Sequence, residues 1–399
     1  MLKTFIYGEQ DTLPWVLRRV LKLRHGQIHF QGIWNGTVGE PSDLNVDLYV
    51  HNAELIELIV KNGVLGAAEA YIRGYWSSDD LVQLIQLLAR NRDVLDKINQ
   101  NFIVQASQLA LKSWYKTRQN TLKGSRKNIA EHYDLSNDFF KLFLDSSMMY
   151  SSAVFKDTHT SLEQASDDKK ELICQKLQLK PLDHLVEIGS GWGGFAIYAA
   201  QHYGCQVTTI TISQAQYDEA VKRIEAAGLS HRIDVQLKDY RLLQGKFDKL
   251  VSIEMIEAVG EQYLPTYFEK CRALLKPRGL ALIQAITIED ARYKKALHTV
   301  DYIKRYIFPG SFIPCISVLT QSASEQKLRL KQLDDIGQSY ALTLHHWRER
   351  FLAAQDQVKA LGFDDHFIRM WDFYLCYCEG GFKEGVISDV HMLFEASPY

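Results

Sequence analysis

Residues 185–194 read Leu-Val-Glu-Ile-Gly-Ser-Gly-Trp-Gly-Gly. Gly189, Gly191 and Gly193 come at the end of a strand-like run and just before a helical pattern. Glycines at such a junction permit tight turns and let a ligand approach the backbone, while the helix start offers free N–H donors. That chemistry suits a nucleotide-like ligand. The triplet alone does not say which one, because glycine-rich strand-to-helix turns also occur without any ligand.

Three nearby features point to S-adenosylmethionine and away from a dinucleotide. Glu187 lies two residues before the first glycine, where the methyltransferase pattern wants an acid near the methionine part of that ligand. The second strand ends in Thr209-Ile-Thr-Ile-Ser213, without the carboxylate that dinucleotide sites use for a ribose. Lys238-Asp239-Tyr240 follows the third strand, where the methyltransferase pattern places an acid and an aromatic ring near the adenine.

The elements that must hold these residues form a βα alternation. His184–Ile188, Gln206–Ile212, Ile233–Leu237, Phe247–Ile253 and Leu280–Ile286 are short β-branched or apolar runs. Gly193–Tyr203, Gln214–Ala227 and Gln262–Leu275 between them have helical spacing. Buried strands separated by helices predict a doubly wound α/β fold with right-handed crossovers. The expected class is a Rossmann-like methyltransferase with a mostly parallel seven-stranded sheet, plus a smaller, largely helical N-terminal domain. Beyond Ala285 the sequence predicts an insertion rich in Tyr, Phe and Pro. Helices near Leu344–Leu361 and Asp365–Cys378 follow, then a last strand over Val386–Phe394. At the N-terminus, Ile28–Trp34 alternates apolar and polar residues and Asn35-Gly36 makes a hairpin turn. Helical spacing dominates from Asn52, and Ser77-Ser78-Asp79 is placed to cap the helix that begins near Leu81.

Length and charge narrow the class. The 399 residues suit about two domains of ordinary size, and 46 Lys+Arg against 48 Asp+Glu exclude a chain that is polybasic overall. No nucleic-acid partner is therefore expected. No apolar run reaches the length of a membrane-spanning helix, and the acids Glu9 and Asp11 argue against a signal peptide. Six scattered cysteines without zinc spacing suggest a reducing cytoplasm and no metal site. From Lys97 to Asn128 the chain holds seven Lys or Arg and no acid, interleaved with Trp114, Tyr115 and aliphatic residues. Two readings of that segment stay open: a surface for anionic membrane, or a solvated interdomain helix and linker.

Taken together, several motifs resemble the cyclopropane fatty acid synthases. They are Asn128-Ile-Ala-Glu-His-Tyr-Asp-Leu-Ser-Asn-Asp138, Met149-Tyr-Ser-Ser-Ala153, Gly191-Trp-Gly-Gly194 and Thr211-Ile-Ser213 with Gln216. Asp239-Tyr-Arg241, Met255-Ile-Glu257 with Val259-Gly260, Lys304–Pro309 and Glu349–Ala354 follow in the same order, and Gly66–Trp76 looks like that family's N-terminal domain. The resemblance implies methyl transfer from S-adenosylmethionine to the cis double bond of a phospholipid acyl chain, and then ring closure assisted by bound bicarbonate. It implies Tyr150, Ser151, Glu187, Gly189, Gly191, Gly193, Thr211, Ser213, Gln216, Asp239 and Tyr240 as the cofactor site. It also implies a cytoplasmic enzyme held peripherally at the inner face of the membrane, and a homodimer is compatible with it. On this basis residues 1–110 are expected to form a lipid-associated domain, 111–127 a basic linker, and 128–399 the catalytic domain.

An alkene is a weak nucleophile, so such a site must align it in a dry channel and stabilise a carbocation, for which aromatic faces are suited. A proton must then leave the new methyl group. Glu257, Tyr340 and Cys378 match the family's bicarbonate cluster, whereas Ser152 stands where Cys is usual and Gln284 where His is usual. The loss of the imidazole leaves a second product open, a methylene or methyl branch without ring closure. A small-molecule O- or N-methyltransferase and a non-catalytic lipid-binding module are the readings from other classes.

Overall fold

The computed structural model describes residues 11–14, 17–18, 21–100, 102–116, 118, 120–121, 124 and 135–399. The stretch 128–134 of the first family motif, and Lys123, Arg126 and Lys127 of the basic segment, lie outside the described residues.

Alternation in β1 (Gly26–Gly32) buries Ile28 and Phe30 on one face. It pairs antiparallel with β2 (Gly36–Glu40) across the expected Asn35-Gly36 turn, and parallel with β3 (Asn45–Val50). With β4 (Trp76–Ser78) they form a sheet in the order β2-β1-β3-β4. Among the described residues, five helices accompany it: α1 (Leu55–Asn62), α2 (Val64–Ile72), α3 (Leu81–Arg90), α4 (Arg92–Asn99) and α5 (Phe102–Lys116). The cap of α3 is Asp80, whose side chain accepts from the Gln83 N–H at 2.8 Å, one residue later than expected. Helix α5 is continuous through residues 110 and 111.

The second sheet has seven strands: β5 (His184–Ile188), β6 (Gln206–Thr211), β7 (Ile233–Leu237), β8 (Phe247–Ile253), β9 (Leu275–Ile288), β10 (Leu328–Asp335) and β11 (Ile387–Ala396). Their order is β10-β11-β9-β8-β5-β6-β7, with neighbours from β7 to β9 parallel and β11 antiparallel to both of its neighbours. The helices of this part are α6 (Asn137–Lys141), α7 (Leu162–Leu177), α8 (Gly194–Tyr203), α9 (Gln214–Ala226), α10 (Leu264–Leu274), α11 (Asp290–Leu297), α12 (Ile316–Glu325), α13 (Gly337–Ala353), α14 (Gln355–Ala360) and α15 (Asp365–Lys383). This is the expected Rossmann-like class. Strand β10 has no counterpart among the expected strands because only Leu328 of it is buried, and its Arg329 and Lys331 mark a charged edge. The helix expected over Leu344–Leu361 starts earlier, at Gly337, and breaks into α13 and α14.

One hydrophobic core joins the two sheets' surroundings, because residues of β1, β3 and α3 share it with Trp371 and Phe382 of α15. Gly380 makes this contact possible: a Cβ there would lie 2.7 Å from Ile85 Cγ2. Tyr71 of α2 donates to Asp372 Oδ2 at 2.8 Å, and Arg348 Nε donates to Asp372 Oδ1 at 2.7 Å. The N-terminal helices are thereby fixed against α13 and α15 of the part that carries the seven-stranded sheet.

Candidate active site

A cavity of about 580 Å³ opens at the carboxyl ends of β5, β6 and β8, a size that suits burial of a small molecule. Its floor includes Glu187, Gly189, Gly191, Thr211, Gln216, Asp239 and Tyr240, and its wall includes Tyr150 and Ser151. Gly191 has φ +50°, and a Cβ at this position would meet nothing within 4 Å, so its backbone faces open cavity. Gly193 and Ser213 do not line the cavity. Gly193 precedes α8 in the left-handed region, with Ala220 3.4 Å from where its Cβ would be. Ser213 caps α9 by accepting from the Gln216 N–H. Both act on the helices that frame the site.

Glu187 is buried, and Thr209 Oγ1 donates to its Oε2 at 2.6 Å. Burial pushes its carboxyl up to about 8. A cationic amino group in the cavity would hold it ionised, so the donor set fits the methionine end of S-adenosylmethionine. Asp239 is gripped by Arg241, with Nε to Oδ1 at 2.8 Å and Nη2 to Oδ2 at 2.6 Å. Tyr240 packs edge-on against Tyr267 at 5.6 Å, and its buried hydroxyl has no protein partner among the described residues.

Beyond β8, the donors expected to hold bicarbonate meet a side chain that no sequence motif singled out. Glu254 Oε1 accepts from the Ser152 N–H at 2.7 Å and from Gln284 Nε2 at 2.8 Å, and its Oε2 accepts from the Tyr340 hydroxyl at 2.7 Å. Three of the five expected residues thus converge on a built-in carboxylate, and an added bicarbonate does not fit among them. Glu254 has φ +46°, a left-handed backbone that only a few non-glycine residues adopt. Gln284 Nε2 also donates to Asp389 Oδ2 at 2.7 Å. Its Oε1 lies 3.2 Å from His391 Nε2, while Lys176 Nζ lies 3.0 Å from His391 Nδ1. With Lys176 donating to Nδ1, His391 donates from Nε2, and this orients the Gln284 amide so that its NH2 faces both acids. The imidazole missing from β9 therefore stands opposite Gln284 on β11, held neutral by burial and by Lys176.

Burial and the Glu254 charge push Asp389 well above the carboxylate range. Burial also raises Glu254, but Lys169 opposes this, and three donors favour its ionised form over that of Asp389. Lys169 is fully buried and donates to Ser151 Oγ. Burial lowers it to about 8 against the pull of Glu254, Asp145 and Asp389. Glu257 lies in the 3-10 turn after β8, where its Oε1 accepts from the Ile286 N–H at 2.6 Å and its buried Oε2 has no partner among the described residues. Burial, then the charge of Glu254, raises it to about 8. Cys378 lines the cavity, but its electrostatic neighbour is Asp301 and it has no hydrogen bond to the Glu254 cluster. The structure therefore does not bring Cys378 into that cluster.

The cavity continues past Tyr340 and Tyr374 to Leu65, Ala68, Ile85 and Leu88 of the N-terminal helices. Arg92, Arg292 and Lys295 also line it, paired with Glu289 and Asp96. Two aromatic residues of the basic segment pack against the chain: the Trp114 ring carries the guanidinium groups of Arg118 at 5.0 Å and Arg305 at 4.7 Å, and Tyr115 donates to the Ser311 carbonyl. Ile103 and Leu109 of α5 remain 49% and 65% exposed.

Residues 120–392 match the family described as mycolic acid cyclopropane synthetase. The chain is 37% identical over 349 residues to tuberculostearic acid methyltransferase UfaA1 of Mycobacterium tuberculosis, covering 85% of this chain and 81% of that one. It is 35% identical over 339 residues to the cyclopropane-fatty-acyl-phospholipid synthase of Escherichia coli K12, covering 84% of each. Among solved structures, the mycolic acid cyclopropane synthase CmaA1 complexed with SAH and CTAB superposes with a TM-score of 0.63 at 27% identity, covering 68% of this chain and 98% of that one. With the glycine loop, Glu187 and the acid cluster gathered at the carboxyl ends of the strands, the chain belongs to the mycolic acid cyclopropane synthetase family and is an S-adenosylmethionine-dependent methyltransferase.

Proposed function

We propose that the enzyme transfers a methyl group from S-adenosylmethionine to the cis double bond of an unsaturated acyl chain on a membrane phospholipid and closes a cyclopropane ring. The observation that carries this reading is the continuous cavity that joins the glycine loop to an aromatic and aliphatic passage ending among the N-terminal helices. An alkyl chain suits the stretch of the passage along Leu65, Ala68, Ile85 and Leu88 better than a polar acceptor does, because polar groups buried against these side chains would be left without partners. Bound S-adenosylmethionine supplies an electrophilic methyl. Tyr150, Tyr340 and Tyr374 line the cavity and would face the positive charge left on the chain, and Glu254 and Glu257, which line it too, would be the acids available to receive a proton.

Residues 1–110 would act as the lipid-facing domain, 111–127 as a basic linker and 128–399 as the catalytic domain. Among the described residues no helix is long and apolar enough to cross a membrane. The exposed Ile103 and Leu109 support a peripheral attachment through α5, with neighbouring cations drawn to anionic lipid at the cytoplasmic face.

A second product, a methylene branch, is favoured by Gln284 standing where a histidine is usual. Both products lose a proton from the same new methyl group, and the branch requires a 1,2-hydride shift along the chain first. A slow base therefore favours the branch and a fast one the ring. The test is incubation with S-adenosylmethionine and vesicles of monounsaturated phospholipid, followed by mass and NMR identification of the fatty product. Cyclopropane protons are expected, exomethylene protons would establish the second reading, and unmethylated lipid would overturn both.

A further inference from the structure

We infer that the carboxylate of Glu254 takes the place of a bound bicarbonate and is itself the base that removes the proton from the newly attached methyl group. This rests on the reading of the enzyme as an acyl-chain methyltransferase. The geometry is specific. A backbone N–H from Ser152, an amide from Gln284 and a hydroxyl from Tyr340 all point at one carboxylate, at 2.7, 2.8 and 2.7 Å, and that carboxylate lines the cavity. Those donors would otherwise surround a small anion; here the anion is covalently part of the chain. The left-handed backbone at Glu254 costs strain that glycine would avoid, which is expected where a side chain is needed for the chemistry. Gln284 is a positioning residue: His391 holds its oxygen, so its NH2 must face Glu254 and Asp389.

The step balances. The alkene π pair forms the new C–C bond while the S–CH3 pair stays on sulfur, leaving a cation on the neighbouring chain carbon. Glu254 takes a proton from the new methyl, and the freed C–H pair closes the ring. Glu254 is then neutral, and its proton passes to water when the product leaves and solvent enters the cavity. No diffusible base is required.

The test compares the full-length wild type with Glu254→Gly and Glu254→Gln on monounsaturated phospholipid vesicles, in buffer scrubbed of carbon dioxide and in the same buffer with added bicarbonate. Glycine suits the φ of this position, so the fold should persist, and thermal melting with S-adenosylmethionine calorimetry checks that it does. The wild type should make methylated lipid at the same rate in both buffers. Glu254→Gly should lose roughly a hundredfold or more in scrubbed buffer, the scale of a lost general base, and recover part of that with bicarbonate or acetate. Glu254→Gln should lose as much and not recover, because its amide fills the space, while both variants bind S-adenosylmethionine within about threefold of wild type. A wild type that stalls in scrubbed buffer and revives with bicarbonate overturns the inference alone. So does a Glu254→Gly variant that makes ring product at the wild-type rate without bicarbonate. A wild type that methylates no lipid in either buffer overturns the functional reading and this inference with it.

Discussion

Replacing Gly191 by valine should separate ligand approach from backbone strain. Gly191 has φ +50°, and a Cβ there would meet nothing within 4 Å, so a side chain would project into the cavity it lines. Gly228, beyond the end of α9, has φ +70° and the same open surroundings, but it lies away from the cavity. Forcing an L side chain into the left-handed region costs about 1–2 kcal/mol at either position. Gly191→Val and Gly228→Val should therefore lower the melting temperature by similar, small amounts. Their affinities for S-adenosylmethionine should differ sharply. Two methyl groups beside the glycine loop should weaken binding at least tenfold, about 1.4 kcal/mol, whereas Gly228→Val should bind like wild type. Calorimetric titration of the three proteins decides the matter. Equal affinity in the two variants would mean that the ligand does not pass over Gly191 and that the cofactor site is misplaced.

Two further predictions concern the N-terminal half. Ile103→Asp with Leu109→Asp should reduce cosedimentation with anionic phospholipid vesicles at least tenfold, since each buried aliphatic side chain contributes about 1.5–3 kcal/mol. Higher salt should also weaken the wild type, and unchanged binding of the double variant would show that α5 does not face the lipid. Asp372→Ala removes the α15 partner shared by the Tyr71 hydroxyl of α2 and Arg348 of α13, and should cost about 2–3 kcal/mol in denaturant unfolding, against about 1 kcal/mol for Tyr71→Phe. Equal costs would mean that the tie between the two parts lies elsewhere.

Much of the catalytic fold is legible in the chain because strands buried on both faces appear as unbroken apolar runs. His184–Ile188 matches its strand residue for residue, and so does Ile233–Leu237, an edge strand legible instead from apolar residues that alternate with Asp234 and Gln236. Strand β10 escapes because an exposed edge carries charge and lacks that pattern. The glycine loop is legible from local chemistry, but Gly193 and Ser213 show its limit: the same residue types cap helices as readily as they hold ligands. Glu254 leaves a signal, an acid three residues before Glu257 at the carboxyl end of a strand. Its function is not local, however. The partners that define it come from Ser152, Gln284 and Tyr340, and Asp389 lies 105 positions from Gln284. Spacing along one strand cannot show that a histidine absent from β9 reappears on β11 directly across from the position it left.

Methylation at carbon, with the lost proton drawn from the methyl group just added, is what most sharply distinguishes this chemistry from transfer to oxygen or nitrogen. Supplying S-adenosylmethionine with a fully deuterated methyl group to the enzyme and monounsaturated phospholipid vesicles tests it directly. The modified acyl chain should keep two of the three deuterium atoms, in a CD2 group at the former double bond, whether the product is ring or methylene. Three deuterium atoms retained in the lipid, or label found only on oxygen or nitrogen, would contradict it.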